Sequence, residues 1–252
     1  MMRLTFLLAF LTAAAIAAES PETWPPGQTE ELTYEIKTRL PRETTNDNIV
    51  KIEKTDDSLP VFIIHQTLEI PAQFMKIVTR EVYDGRNLEL ISSENTISIP
   101  EEAKEQLHVD SVVVSARRTE DTLDVVTNSY IAPSGRVIAG PDLTTNVGSI
   151  LVSRYQNFDS DSSREYESVN LIKLGSEKVE TFTARDSVVG IQQVSVPAGD
   201  FKCYKVLNMV SGVHGYTYYA VEENLVPVLI ELIDPQSGQP SMTVTLQEYR
   251  RQ

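Results

Sequence analysis

The chain of 252 residues contains one cysteine and three histidines. A single thiol, Cys203, cannot form an intramolecular disulfide, and its place in an apolar strand-like run predicts a buried structural residue. The histidines, His65, His108 and His214, fall in different predicted elements. None has a second histidine or a cysteine at the spacing of metal ligands, so no metal site is predicted.

The sequence also lacks the short motifs of common enzymes. It has no Gly-x-Ser-x-Gly turn for a serine nucleophile, no phosphate-binding Gly-x-x-x-x-Gly-Lys-Ser/Thr loop and no Gly-x-Gly-x-x-Gly for a dinucleotide. Carboxylates are plentiful, but among 36 acidic residues a close pair has little diagnostic value, and a solvated acidic surface is the preferred interpretation. We predict no catalytic residue and no cofactor.

Basic residues are scarce. There are 22 of them against 36 acidic residues, which gives a formal net charge of −14 at pH 7. Nucleic-acid binding relies on clustered lysine and arginine to displace counterions from phosphates, and such an acidic surface repels them. Nucleic acid is therefore not expected as a partner.

Long apolar runs are missing except near the start. Residues 4–16 form an apolar run after Arg3, shorter than the roughly 20 residues of a spanning helix. Ala15-Ile16-Ala17 supplies small residues at both recognition positions of a signal peptidase site. This pattern predicts a cleaved signal peptide over residues 1–17. No cysteine follows that could take a lipid, so we expect an exported protein, in the periplasm or outside the cell, without a transmembrane segment in the mature chain.

The remaining residues show mostly strand patterns. Residues 18–30, with Trp24, are predicted to be an extended leader. In residues 31–40 apolar and polar side chains alternate, as in a half-buried strand, whereas residues 42–48 are polar and turn-like. Pro197-Ala198-Gly199-Asp200 and Asp84-Gly85-Arg86 predict tight hairpins, the second because Asp-Gly supplies positive backbone angles.

The spacing of these runs predicts a mainly β fold: one domain over residues 31–252, with about ten to twelve antiparallel strands. Residues 100–108 begin with proline and two acids and predict a short helical turn. Residues 143–155 change to a helical period, and we expect one helix there to cover the concave side of the sheet. Residues 225–233 are apolar on both faces, so that part of the sheet should be covered on both sides.

The last third of the chain resembles a known group of proteins. Residues 196–206, Val-Pro-Ala-Gly-Asp-Phe-Lys-Cys-Tyr-Lys-Val, are followed by a tyrosine-rich strand and by Asn-Leu-Val-Pro-Val at 224–228. This arrangement, specific from residue 187 onward, resembles a bacterial envelope family of uncharacterised function related to the lipoprotein carriers LolA and LolB. The resemblance implies a strongly curved antiparallel sheet, or half-barrel, closed by a helix.

Three functions remain open. The first is a non-enzymatic binding or carrier protein for a lipid-like or other apolar ligand in a cleft on the concave face. The second is a structural or interaction module of the envelope with a fully packed core, in which an exposed edge such as residues 241–249 pairs with another protein. A hydrolase is the least favoured. The residues expected to line an apolar cleft are Tyr34, Ile36, Tyr204, Val206, Tyr216, Tyr218 and Val228.

Overall fold

The computed structural model of the protein describes residues 24–39, 43–55, 58–156, 158–159, 162–176, 178–210, 212–222 and 224–252. The predicted signal peptide and the first part of the predicted leader lie outside the described residues. Trp24 is buried and packs edge-on against Phe62, with ring centroids 5.5 Å apart. The first strand begins at Thr29, slightly earlier than the alternation predicted.

The first half of the chain consists of strands joined by short turns, with one helix, α1, which confirms the predicted helical turn. Its elements are β1 (Thr29–Thr38), β2 (Thr44–Lys54), β3 (Val61–Ile70), β4 (Met75–Asp84), β5 (Leu90–Ser98), α1 (Glu101–Leu107), β6 (Ser111–Thr119), β7 (Thr122–Thr127) and β8 (Gly135–Ile138).

The second half begins with a two-residue strand and a short helix and continues as a run of strands. Its elements are β9 (Thr144–Thr145), α2 (Ser149–Val152), β10 (Ser163–Asn170), β11 (Glu180–Val196), β12 (Gly199–Val210), β13 (Val213–Ala220), β14 (Pro227–Ile233) and β15 (Pro240–Arg251). Single 3-10 turns lie at Pro71–Gln73 and Ser153–Tyr155.

All these strands belong to one curved sheet, which confirms the predicted fold class. Over the described residues the sheet has fifteen strands in the order β8-β7-β6-β5-β4-β3-β2-β1-β15-β14-β13-β12-β11-β10-β9. This is more than the predicted number, partly because β8 and β9 have only four and two residues and leave no periodic pattern. Neighbours are antiparallel except β9 and β10, which are parallel.

The first and last strands pair with each other in the middle of the sheet. β15 lies between β1 and β14 and is paired on both sides, so the expectation that residues 241–249 form an exposed edge is wrong. The sheet ends instead at β8 and β9. Strand pairing between the two ends of a chain leaves no local sequence signal, which is why the alternation within β15 could not reveal it.

The β11–β12 hairpin confirms the turn predicted at residues 197–200. β11 ends at Val196 and β12 begins at Gly199, so two residues connect them. β11, before the turn, is one long strand of 17 residues with a bulge beside Gly190, whose φ is +146°. Glycine adopts this backbone angle without steric cost.

The far half of this hairpin folds back over the outer face of the sheet. β11 contacts β14 and β15, which are not its neighbours in the sheet, and the Ala198 amide donates to the Leu246 carbonyl at 3.3 Å. The hairpin therefore covers the outer face of β14, while the inner face is covered from the concave side. This explains why residues 225–233 are apolar on both faces.

The hairpin between β4 and β5 is present, but its turn is not the predicted one. Leu88, with φ +60°, takes the positive angle, and Gly85 is not among the positive-φ residues. The Gly85 amide donates to the Pro60 carbonyl at 2.9 Å. Glycine is required because of this close approach, since a Cβ atom on residue 85 would lie 2.5 Å from the Pro60 oxygen.

Gly85→Ala is expected to lower the free energy of unfolding by about 1–3 kcal/mol, because the clashing atom belongs to the backbone and cannot rotate away. Denaturant unfolding measures the change. Gly140→Ala is the matched control, since nothing lies within 4 Å of its Cβ position, and it should be neutral or slightly stabilising. Equal stabilities for the two variants would contradict the close approach.

Candidate functional site

The concave face carries a row of apolar side chains that is interrupted at Thr217. Ile36 is directly opposite Val244, and Val244 is opposite Ile230; beyond Thr217, the ladder continues to Val206. Directly paired residues have their side chains on the same face of a sheet. We call this surface the apolar wall and define it by six buried residues: Tyr34, Ile36, Val206, Val228, Ile230 and Val244.

The structure divides the seven predicted lining residues between the two faces. Tyr34, Ile36, Val206 and Val228 belong to the apolar wall. Tyr204 shares the face of Val206 and stacks on Phe158, with ring centroids 4.7 Å apart.

The other two tyrosines lie on the outer face, because they flank Thr217 in β13 and so point away from the concave side. Tyr218 donates to Glu231 at 2.8 Å, and the Lys205 ammonium lies 4.0 Å from the ring centroid of Tyr216. The structure therefore does not bring these two to the concave face.

An uncharged polar surface adjoins the apolar wall. Asn46 is directly opposite Ile36 and Asn48 is opposite Tyr34 in the β1–β2 pairing, and Gln66 on β3 is a diagonal neighbour of Asn48. All three side chains are at most 2% exposed. We call Asn46, Asn48 and Gln66 the amide band.

Sequence reasoning missed the amide band. Residues 42–48 were predicted to be turn-like, but β2 begins at Thr44 and its inward series runs Asn46, Asn48, Val50, Ile52. The signal was the period of two, which continues backwards from the apolar residues into the polar ones. Polarity dominated the interpretation because buried asparagines are uncommon.

The amide band differs from the polar residues beside it. Thr79 donates to Asn95 at 2.8 Å, Asn95 to Ser93 at 3.0 Å, and Ser93 to Glu81 at 3.1 Å. In contrast, both polar atoms of Asn48, Oδ1 of Asn46 and Nε2 of Gln66 have no hydrogen-bond partner among the described residues. An unsatisfied buried polar group costs about 1–3 kcal/mol, so the amide band destabilises the fold as it stands.

Residues 143–156, which we call the inner segment, lie against the concave face and are buried throughout. The predicted helix over 143–155 is shorter in the structure: Thr144–Thr145 pair with β10, α2 spans Ser149–Val152, and a 3-10 turn follows. The inner segment occupies the side of the sheet that the helix was expected to cover.

A buried ion pair fixes one end of the inner segment. Nη1 of Arg154 donates to Glu30 at 2.5 Å, and Glu30 also accepts from Asn224 at 2.8 Å and Tyr249 at 2.9 Å. Burial opposes the charge of Glu30, but Arg154 and these hydrogen bonds together outweigh it, so the pKa of Glu30 lies below its ordinary value of 4.5. Nη2 of Arg154 has no partner among the described residues.

A second contact fixes the start of the inner segment. Thr145 donates to Glu81 at 2.7 Å, and Tyr83 donates to the same carboxylate at 2.9 Å. Burial raises the pKa of Glu81 above 4.5, although its hydrogen bonds partly offset the effect. No ion pair to Glu81 occurs within the described part of the chain.

Glu81 should make stability depend on pH. Because the folded-state pKa is raised, the native protein binds the proton more tightly than the unfolded chain, and stability is lost as pH rises from 4.5 through the higher folded value. Glu81→Gln is therefore expected to gain stability relative to the native chain between about pH 4 and pH 7. Urea unfolding at several pH values measures the difference.

Glu94→Gln, on the exposed face of β5, removes the same formal charge and is the matched control for Glu81→Gln. A stability difference between Glu81→Gln and the native chain that stays constant with pH would contradict the buried carboxylate.

The remaining candidate residues show no reactive arrangement. His65 and His108 are exposed and His214 is partly buried in β13. In the part of the chain that the structure describes, no group of three or more His, Cys, Asp or Glu residues is placed to hold a metal ion. Cys203 is fully buried, and burial raises the pKa of its thiol to about 11.

A surface cleft of about 410 Å³ lies beneath the tip of the β11–β12 hairpin. It is lined by Pro197, Ala198, Phe201 and residues 247–250 of β15. Its lining mixes polar and apolar groups, and it opens to solvent on the opposite side of the sheet from the apolar wall.

No helix within the described residues has the length and apolar character needed to cross a bilayer. No protein-family model matches the chain, and no curated protein sequence matches it. The comparisons that find similarity are with solved structures.

One similar structure is a β-barrel-like protein of the domain of unknown function DUF1849 from Brucella abortus, with 8% identity, a TM-score of 0.54, and coverage of 90% of this chain and 99% of that one. Another is a Bacteroides fragilis protein with a YmcC-like fold, with 16% identity, a TM-score of 0.43, and coverage of 94% and 100%. Neither description names a lipoprotein carrier or an activity. The first comparison shows that the chain has a β-barrel-like fold.

Proposed function

We propose that the protein is a non-catalytic binding or carrier protein for a lipid-like or other apolar ligand, and that it acts in the periplasm or outside the cell after loss of residues 1–17. The ligand chain lies on the apolar wall. The observation that carries this proposal is the wall itself, an uninterrupted inward apolar surface from β1 through β15 to β14.

The energetics allow such binding without a charged anchor. Burying about ten methylene groups contributes roughly 0.8 kcal/mol each, from which the loss of translational and rotational freedom is subtracted. The residues of the apolar wall are buried in the structure, so the free energy of displacing the inner segment is subtracted as well.

The inner segment competes with the ligand for the concave side. Hydration favours displacement of the inner segment. Polar atoms such as Nε2 of Gln156 and Nη2 of Arg154 have no partner among the described residues, and they would bind water once the segment leaves the sheet. Its retention is favoured by the Arg154–Glu30 pair. The ligand must replace the apolar contacts of the segment, which selects long apolar chains over short ones.

Co-purification tests the proposal directly. Protein purified without detergent is extracted with organic solvent and analysed by mass spectrometry, and displacement of a fluorescent fatty acid is measured in parallel. We expect a bound lipid and saturable displacement. If neither is found, the proposed function is wrong.

A wall variant locates the ligand. Ile36→Asn places a polar group on the apolar wall and should weaken probe binding about tenfold or more. Ile138→Asn, at a position 77% exposed, is the matched control and should bind normally. Circular dichroism confirms that both are folded, with Ile36→Ala as the substitute if Ile36→Asn is not; unchanged affinity in the wall variant would place the ligand elsewhere.

A structural or interaction module is the second candidate, favoured by one observation. Among the described residues β8 has a neighbouring strand on one side only, and Ile138 on β8 and Tyr130 in the segment before it are 77% and 71% exposed. An edge of this kind pairs with a strand of another protein. Cross-linking through residue 138 in envelope extracts, together with absent lipid binding, would support this candidate over the first.

A further inference from the structure

The amide band contains four buried hydrogen-bonding atoms that have no partner among the described residues. Asn48 is fully buried with both polar atoms unpartnered, and Oδ1 of Asn46 and Nε2 of Gln66 are in the same state. Buried side-chain polar groups in native proteins are nearly always satisfied by protein, water or ligand. An unsatisfied group of this kind requires an explanation.

The sheet satisfies other polar groups in the same region. Thr79, directly opposite Gln66, donates to Asn95. Ser93, on the same strand as Asn95, donates to Glu81. The polar side chains of β4 and β5 beside the amide band are therefore paired with one another, whereas those of the amide band are not. A purely structural polar layer would have been paired in the same way.

The chemistry of the amide band selects an uncharged partner. Asparagine and glutamine each offer a donor and an acceptor and carry no charge, so they match hydroxyl groups, which also donate and accept. Glu81 lies in the same region and offers no positive charge to attract an anionic group.

The cations on β2 and the inner segment have protein partners, although Nη2 of Arg154 has none among the described residues. Lys54 donates to the Trp24 carbonyl at 2.7 Å, and Arg154 is paired with Glu30. Lys54 is six residues along β2 from Asn48, which corresponds to roughly 20 Å of extended strand. No positive group is therefore placed by the described residues of β2 to receive an anion at the amide band.

The position of the amide band fits one end of an amphipathic ligand. Asn46 and Asn48 are directly opposite Ile36 and Tyr34 of the apolar wall, so a polar head at the amide band leaves its chain on the wall. We propose that the amide band binds the uncharged polyol head group, with glycerol or sugar hydroxyls, of the ligand. This inference rests on the proposed function and specifies its ligand class.

Four probes with matched chemistry test the inference: monopalmitoylglycerol, palmitate, palmitoyl lysophosphatidate and free glycerol. Each is titrated against the full mature chain loaded with a neutral fluorescent lipid. Monopalmitoylglycerol is expected to bind about tenfold or more tightly than either anionic lipid, and free glycerol is expected not to compete.

The outcomes separate the two levels of the proposal. If none of the chain-bearing lipids binds, the proposed function itself fails. If the anionic lipids bind as well as monopalmitoylglycerol, the function stands and the head-group inference is overturned. If free glycerol competes at the same concentration as monopalmitoylglycerol, the ligand is a free polyol rather than a lipid, and the inference of a lipid head group is overturned.

Asn48→Leu supplies a second test with an independent readout. It replaces the two unsatisfied atoms with methyl groups and keeps the branching of the side chain, so the thermal stability should be equal or higher. The affinity ratio between the neutral and the anionic lipids should fall toward one. Asn95→Leu is the matched control: Asn95 is hydrogen-bonded, so the variant should lose stability and keep the preference. Lost stability and an unchanged preference in Asn48→Leu would overturn the inference.

Discussion

Replacing Arg154 with methionine is expected to lower the free energy of unfolding by about 3–5 kcal/mol. Arg154 and Glu30 have side chains only 2% and 0% exposed. Without the guanidinium, the Glu30 carboxylate remains buried with only neutral donors, Asn224 and Tyr249, beside it. The desolvation cost of that charge, rather than the loss of a contact, makes the effect large.

Denaturant unfolding of Arg154→Met measures the loss. Adding Glu30→Gln to the same chain removes the isolated charge but leaves an oxygen that accepts from Asn224 and Tyr249, so the double variant should recover most of the stability. Arg250→Met is the exposed control. Its pair with Glu248 has side chains 61% and 58% exposed, and such pairs contribute less than about 1 kcal/mol.

A loss for Arg154→Met no larger than that for the exposed control would contradict the buried pair. If the stability changes of Arg154→Met and Glu30→Gln simply add in the double variant, that result would also contradict the buried pair, because substitutions of residues in direct contact are normally non-additive. Since Arg154 belongs to the inner segment, amide hydrogen exchange over residues 143–156 should rise in Arg154→Met before global unfolding.

Gly148→Ala is expected to have the second large effect. A Cβ atom at residue 148 would lie 1.6 Å from the Tyr83 hydroxyl oxygen and 2.3 Å from the ring carbon that carries it. Tyr83 is fully buried and its hydroxyl donates to Glu81, so the ring has no free space to rotate into. The inner segment must move, and we expect a loss of about 1–3 kcal/mol or more.

Hydrogen exchange and limited proteolysis over residues 143–156 detect the movement of the segment. Combining Gly148→Ala with Tyr83→Leu removes the clashing ring and should restore protection of the segment. If the segment competes with the ligand, Gly148→Ala should also increase the amount of fluorescent fatty acid bound. Unchanged stability and exchange in Gly148→Ala would show that the contact with Tyr83 is not tight.

Local patterns predicted most of the strands and their turns. The strand predicted over residues 31–40 is β1, Thr29–Thr38, and the turn predicted at 197–200 connects β11 and β12. Both depend on interactions within a few residues: alternation decides which side chains are buried, and proline and glycine restrict or permit backbone angles. All the residues that determine such features lie within a few positions of one another in the sequence.

The turn at Gly85 shows where local reasoning stops. Asp-Gly predicted a positive angle at the glycine, but the angle is at Leu88 and Gly85 is needed for its contact with Pro60. Pro60 belongs to a different hairpin, and no pattern around residue 85 refers to it. The hairpin was predictable and the reason for its glycine was not.

The candidate site divides in the same way. Tyr34, Ile36, Val206 and Val228 lie on the concave face, and their role in lining a ligand cleft stays a prediction. Tyr216 and Tyr218 lie on the outer face. The sequence of β13 shows which residues share a face, but it does not show which of the two faces the inner segment covers. The amide band was missed because an inward asparagine and a turn asparagine look the same without the neighbouring strands.

The sequence by itself determined an acidic, strand-rich chain with its turns and alternating faces, since these depend on charge, backbone angles and a period of two. Only the tertiary structure decided that β1 pairs with β15, that the β11–β12 hairpin covers the outer face, and that the inner segment lies against the wall. The physical reason is that strand pairing and layer packing join residues that are far apart in the chain. Backbone hydrogen bonds and apolar contacts can form with any strand of similar length that has an apolar face, so the sequence of one strand does not identify its partner.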